Sequence, residues 1–339
     1  MRRLDGKRVL LVAPRFFGYE REIRSEIERR GAVVDWLPDR PFDTPLLTAL
    51  TKYRPQWVLP SADRLYQRLL LEMGAKKYDT ILVVNGQTLS HKMLSTLRTS
   101  FPAAKVVLYM WDSIENRRGV VENLPLFDAM YSFDPQNARE YGMRLRPLFF
   151  SKGFEQAPEA DFDHHLSFVG TAHTDRYAVV SRLRSNLPAE LRGYWYLYLQ
   201  APWVYHAYRV TNPSMRQARR DEFQYEPLQK SALQTVFSRS LAIVDIEHPQ
   251  QRGLTMRTFE TMGSHKKLIT TNAQIRDYDF FNEDNICVVN RTDAQIPSGF
   301  LDSPFIPLVP ELYRRYSIEG WVDEVLNLVD ADRAQETAP

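Results

Sequence analysis

Cysteine is nearly absent from this chain of 339 residues, where Cys287 is the only one. No intrachain disulfide can form, and no cysteine-based zinc site is available. Cys287 sits in the run Ile286-Cys287-Val288-Val289, a setting that suits a small buried hydrophobe better than a nucleophile. Glycine is sparse too, and its 14 residues nowhere adopt the G-x-G-x-x-G spacing. The lone Gly18 after the first strand, with only Asp35 as an acidic partner beyond it, makes a poor dehydrogenase fingerprint. Long apolar runs are missing as well: the basic start, residues 1–8, leads only into a short strand-like run, neither a signal peptide nor a membrane span. The expected location is the cytoplasm, extending to peripheral association with the inner face of the membrane. Charge of one sign is lacking, since a net +2 gives no whole-chain case for nucleic acid, although local basic patches stay open. Asp163, His164 and His165 resemble a metal cluster on paper, but adjacent strand residues point to opposite faces. No metal and no cofactor are expected.

What the chain does have is alternation of strand and helix patterns over a length that suggests two domains. Residues 7–14 read as a strand, 15–19 as a loop holding Gly18, and 20–30 as a charged helix ending at Gly31. A second strand covers 32–37, and the Pro-containing stretch 38–45 turns the chain toward further helices. A helix over 62–73 and strands over 78–84, 104–110 and 128–133 continue the series, which is that of a parallel α/β sheet. His91 falls early in the helix after Asn85-Gly86, one candidate general base, though a surface or capping histidine is the plainer reading. The strand over 104–110 delivers Trp111 and Asp112 to its carboxyl end, the edge at which open α/β sheets bind ligands. A carboxylate there, tuned upward by burial, can deprotonate a hydroxyl, which makes Asp112 the preferred base candidate. The alternative is that it caps the turn that follows.

The stretch 149–161, FFSKGFEQAPEAD, breaks the pattern and marks the expected boundary between domains over 1–150 and 160–310. A strand over 165–171 then enters a small-residue loop at Gly170, and Arg176 opens a helix with Val179, Val180 and Leu183 on its inner side. The most informative segment is 241–272. It reads as a buried strand over 241–246, a polar loop with Pro249 and Gly253, a helix capped by Thr255, and a further strand. Met256, Phe259, Glu260 and Gly263 share one face of that helix, and three of the four suit packing on a sheet. Free amides at a helix N-terminus favour an anion, and Gly253 lets a phosphate approach. Glu260, a turn further on, is placed to accept ribose hydroxyls, so the expected ligand is a nucleotide. The same residues also fit an ordinary helix on a parallel sheet with Glu260 at its solvent edge.

Residues 193–208, GYWYLYLQAPWVYHAY, are the most aromatic of the chain. A membrane-interface patch and base stacking on nucleic acid are both open to such composition. An aromatic strand over 194–199 covering neighbouring elements is preferred, since no Lys/Arg series is interleaved. Arg216, Arg219 and Arg220 form a local basic cluster that suits donor phosphates, an anionic membrane or plain solvation. The chain closes with an apolar-striped helix within 311–329, carrying Trp321, Val322 and Val325, and a frayed tail over 330–339.

Gly253-Leu254-Thr255-x-Arg257-x-x-Glu260, followed by Gly263 and the strand 266–272, resembles the donor-binding segment of bacterial GT-B glycosyltransferases. The likeness is closest to the CgeB-like (spore-maturation-protein-like) group and related lipopolysaccharide or capsule transferases. The start of the chain, FGYEREI followed by a strand and DRP, resembles the acceptor-side half of the same enzymes. The resemblance implies two Rossmann-like domains facing a central cleft, with the terminal helix crossing back to the first. It implies donor binding through Gly170, Arg176 on the diphosphate, Tyr225 near the base, Gly253, Leu254, Thr255 and Arg257, with Glu260 on the ribose. Gly18 and Trp111 would lie on the acceptor side, and an Arg176 on the open helix surface is the alternative for that residue. Many retaining members carry an acidic residue eight positions before the glutamate. Here that position is Arg252, so their donor-sugar contact is not carried over. The expected function is transfer of a sugar from a nucleotide sugar to a glycan, lipid-linked or other hydroxyl acceptor, without a metal. A non-hydrolysing nucleotide-sugar epimerase and a non-catalytic nucleotide-sugar-binding module are the alternatives.

Overall fold

The computed structural model describes residues 4–39, 59–74, 76–155 and 162–328. The turn expected over 38–45 lies outside the described residues beyond Asp39, as do the tail over 330–339 and part of the expected boundary stretch. The chain divides into one unit made of Met1–Leu148 with Ile318–Pro339 and a second made of Phe149–Ser317.

The first unit is built on strands β1 (Arg8–Ala13), β2 (Val33–Pro38), β3 (Thr80–Val84), β4 (Lys105–Met110), β5 (Ala129–Ser132) and β6 (Arg144–Leu145). All pair in parallel, in the order β2-β1-β3-β4-β5-β6. Helices α1 (Tyr19–Arg29), α2 (Leu59–Met73), α3 (His91–Ser100) and α4 (Pro135–Glu140) connect them. The strands are apolar on both faces because both faces are covered. Leu10, Val12, Ile81, Val83, Val106 and Leu108 pack with Ala62 and Tyr66 of α2 and Met93, Leu94 and Leu97 of α3. The opposite face takes helix α10 (Ile318–Val325), whose Trp321 is fully buried edge-on to Tyr109, with ring centroids 4.7 Å apart. Arg30, itself buried, ties that helix down: its Nη1 lies 2.9 Å from Asp323, and its Nη2 donates to the Glu319 carbonyl at 2.7 Å.

The second unit repeats the design with β7 (His164–Thr171), β8 (Gly193–Tyr198), β9 (Phe223–Gln224), β10 (Ser240–Asp245), β11 (Lys267–Thr270) and β12 (Ile286–Val288). Its parallel sheet runs β12-β11-β10-β7-β8-β9. Its helices are α5 (Arg176–Asn186), α6 (Pro202–Thr211), α7 (Lys230–Ser238), α8 (Met256–Gly263) and α9 (Pro310–Tyr316). Leu166, Ala242, Val244, Ile269 and Cys287 face α5 and α6, while Ile243 faces Phe237 of α7 and Phe154. Burial pushes the Cys287 thiol up to about 11, the behaviour of an inert core residue.

The single helix expected within 311–329 is two. Ser317 takes an extended conformation (ψ 163°) and its hydroxyl bonds back to the Arg314 carbonyl at 2.7 Å, ending α9 before α10 begins. The apolar stripe is continuous in sequence, but α9 belongs to the second unit and α10 to the first.

Candidate functional site

In each sheet the strand order reverses once, between β1 and β3 in the first unit and between β7 and β10 in the second. The crevice at the carboxyl ends of such a pair is where open α/β sheets take ligands. In the second unit this point is bridged by arginines. Arg176, at the start of α5, donates through Nε to the Ile246 carbonyl at 2.6 Å and through Nη1 to the Thr171 carbonyl at 3.3 Å. It therefore spans the two strands on either side of the reversal and is not an open-surface residue. Burial lowers its guanidinium below the ordinary value, opposed by Asp245 and Glu247 and reinforced by Arg257 and Arg291. Gly170 keeps room for it: a Cβ there would stand 2.9 Å from the Phe168 ring and 3.6 Å from Arg176 Nη1.

Helix α8 follows β10 at the same edge. Arg257 in its first turn donates to the Val169 carbonyl at 2.6 Å, reaching across to β7. Glu260 is 3% exposed, with Oε2 3.5 Å from Arg257 Nε. The solvent-edge position considered for Glu260 is thereby excluded. Thr255 occupies the N-cap position, but its hydroxyl does not cap the helix. It donates instead to Asp245 Oδ2 at 2.7 Å, and the Thr258 hydroxyl donates to the same oxygen at 2.9 Å. A hydroxyl committed to a carboxylate behind it leaves the first-turn amides of α8 without a side-chain cap. Gly253 and Leu254 are buried where the loop enters the helix.

A third arginine closes the edge. Arg291, just beyond β12, holds both Asp175 oxygens at 2.9 Å and the Glu247 carbonyl at 2.9 Å, and it also pairs with the Glu247 carboxylate. Burial works to lower its guanidinium, yet the bonds to Glu247 and Asp175 outweigh this and the net direction is upward. Thr271, after β11, donates to the other Glu247 oxygen at 2.5 Å. The sequence reading missed Asp175, Asp245, Glu247 and Arg291. Each falls at or just past a strand end or at a helix start, a signal that becomes specific only once the strand order is known. Tyr225 stands apart, following β9, which is two strands from β7 and so roughly 10 Å away across the sheet. Its ring packs on the unit's core and its hydroxyl is buried.

In the first unit, Gly18 adopts a left-handed conformation (φ 81°) as the N-cap residue of α1, after the β1 loop. Trp111 donates its backbone N–H to Asn85 Oδ1 at 3.1 Å, and its ring lies 5.9 Å from Phe16, so the loops after β1, β3 and β4 meet there. Asp112 accepts from the Ser113 amide at 2.9 Å and the Asn116 side chain at 3.0 Å, and its other oxygen lies 2.8 Å from Arg117. These are turn-capping contacts, made on the same strand end that presents Trp111. His91 is exposed on the first turn of α3, and no contact brings it to Asp112.

No protein-family model matches the chain, and no curated protein matches its sequence. Solved structures do match over nearly the whole length. Anabaena HepE in complex with UDP-glucose aligns with a TM-score of 0.59 at 9% identity, covering 96% of this chain and 99% of that one. The same protein with UDP and glucose gives 0.58 at 9% identity, covering 96% of this chain and 100% of that one. This chain has the GT-B fold. A glycosyltransferase from Rickettsia africae aligns at 0.53 with 13% identity, covering 95% of this chain and 93% of that one. At such identities the GT-B likeness is one of fold.

Proposed function

We propose that this protein is a glycosyltransferase that takes a nucleoside-diphosphate sugar as donor and a hydroxyl group as acceptor. The observation that carries the reading is the uncapped N-terminus of α8 flanked by Arg176 and Arg257, at the point where the second sheet reverses its strand order. Amides and guanidinium groups converging on one edge suit a diphosphate, and charge develops on a diphosphate when its bond to the sugar breaks. HepE, which shares the fold, was solved with UDP-glucose. In this reading Glu260 accepts the ribose hydroxyls, while Tyr225, on the far side of β7, has no part at this edge.

The acceptor is assigned to the first unit, at the edge marked by Gly18 and Trp111. Its hydroxyl oxygen bonds to the anomeric carbon as the bond to the diphosphate breaks, and its proton passes to a base. Asp112 is the candidate for that base, oriented by Arg117, with His91 as the second candidate. The motif from Gly253 to Glu260 supports assignment to the CgeB-like group and, through it, to cell-surface polysaccharide or glycoconjugate synthesis. No divalent ion is required in this scheme, and turnover is expected to persist in EDTA.

The test is a thermal-shift panel of UDP, GDP, CMP and TDP on the wild type, Arg176→Ala and Glu260→Ala. A ligand at about 100 times its Kd stabilises by about 2.7 kcal/mol. One nucleoside diphosphate should raise the melting temperature of the wild type, and both variants should lose that shift. The reading is overturned if no nucleotide shifts the wild type. Release of the free nucleoside diphosphate coupled to a new glycosidic bond then establishes transfer.

A further inference from the structure

Helix α6 carries an apolar stripe that faces away from the second unit. Val204 and Tyr205 are buried on its inner side, whereas Trp203 is 71% exposed and Val210, seven residues on and two turns away, is 80% exposed. His206, one turn from Trp203, is exposed on the same side, and Arg209 is exposed at the margin with its guanidinium 5.9 Å over the Tyr205 ring. Single exposed hydrophobics are ordinary; a tryptophan and a valine aligned on an outward helix face are less so.

The charge flanking this stripe along the chain is one-sided. Between Glu190 and Asp221 the chain has no acidic residue, and its only charged side chains are Arg192, Arg209, Arg216, Arg219 and Arg220. Arg216, Arg219 and Arg220 are exposed in the segment that follows α6, with Arg219 lying 3.5 Å from Asp221 at its far end. Among the described residues no helix is long and apolar enough to cross a membrane.

We propose that α6 and the arginines after it form a docking surface for an anionic lipid bilayer, with Trp203 and Val210 entering the headgroup region and the arginines meeting lipid phosphates. Tryptophan prefers that region, and arginines beside it add attraction to anionic headgroups. Apolar insertion and basic charge act together here, since either signal alone holds a protein only marginally. The proposal does not depend on the transferase reading.

The experiment is cosedimentation of the full chain with phosphatidylcholine vesicles, with and without phosphatidylglycerol. The chain should sediment with the anionic vesicles and not with phosphatidylcholine alone. Raising salt from about 0.1 M to about 1 M, which shortens the screening length from about 10 Å to about 3 Å, should release it. Arg216→Gln and Arg220→Gln should each weaken binding about fivefold. Trp203→Ser with Val210→Ser should abolish binding with the melting temperature unchanged, both side chains being exposed. Failure to sediment with anionic vesicles, or binding that survives the Trp203/Val210 pair of substitutions, overturns the proposal. So does a dimer in sedimentation velocity that this pair dissolves while vesicle binding stays unchanged, which would make the stripe a contact between copies.

Discussion

At the scale of single residues, the edge of the second unit where the strand order reverses consists of charges that hold one another in place. Asp245 is buried and takes two hydroxyl donors, Thr255 and Thr258, on one oxygen. Replacing Thr258 with Val removes a donor from a buried carboxylate, and the expected cost is about 1–3 kcal/mol, read from a urea titration. Asp79, in the first unit, gives a pH test. The Arg8 backbone N–H and then Lys7 hold its carboxyl below the ordinary value of 3.8, with Asp79 oxygens 2.9 Å from each. A group whose folded pKa is depressed adds stability above its unfolded pKa and loses it as pH falls through the folded value. Acid titration of the melting temperature should therefore show a decline below about pH 4 that is shallower in Asp79→Asn.

At the scale of elements, two helices do most to set the geometry. Helix α8 is locked to the unit from both ends: Arg257 reaches β7, and Gly263 lies so close to Phe150 that a Cβ would stand 2.6 Å from its ring. Gly263→Val should push α8 off its seat and abolish nucleotide stabilisation together with part of the unit's stability, measured by thermal shift with and without UDP. Helix α10 depends on Trp321 and on Asp323 facing the buried Arg30. Trp321→Ala should cost about 3–5 kcal/mol in a denaturant melt. Asp323→Ala should cost a comparable amount, about 3–5 kcal/mol, because it leaves a buried guanidinium with one carboxylate fewer. Periodicity made α10 visible as an apolar stripe. It did not reveal the break at Ser317, because an extended serine between two helical turns leaves the apolar spacing nearly intact.

At the scale of the whole molecule, the chain leaves the first unit after Leu148 and returns to it at Ile318. The first unit is therefore complete only when the segment from Ile318 onward has been made. A chain stopped after Ser317 would leave Tyr109 without Trp321 and Arg30 without Asp323. Scanning calorimetry of that shortened protein should show the first unit's transition lowered or lost, with a transition for the second unit retained.

The sequence by itself determined the class of the fold. Short apolar strands alternating with helices can bury both faces only in a parallel sheet covered on both sides, and the pattern over 241–272 marked one strand–loop–helix–strand turn of that sheet. Strand order belongs to the tertiary structure, because pairing β10 with β7 joins segments more than seventy residues apart. Only that pairing turns Arg176 from a helix-start arginine into a bridge across the crevice, and buries Glu260 beside Arg257. Only it gathers Asp175, Glu247 and Arg291 into one network. Local spacing fixes which face a residue occupies on its own element, whereas what that face meets depends on contacts between segments distant in the chain.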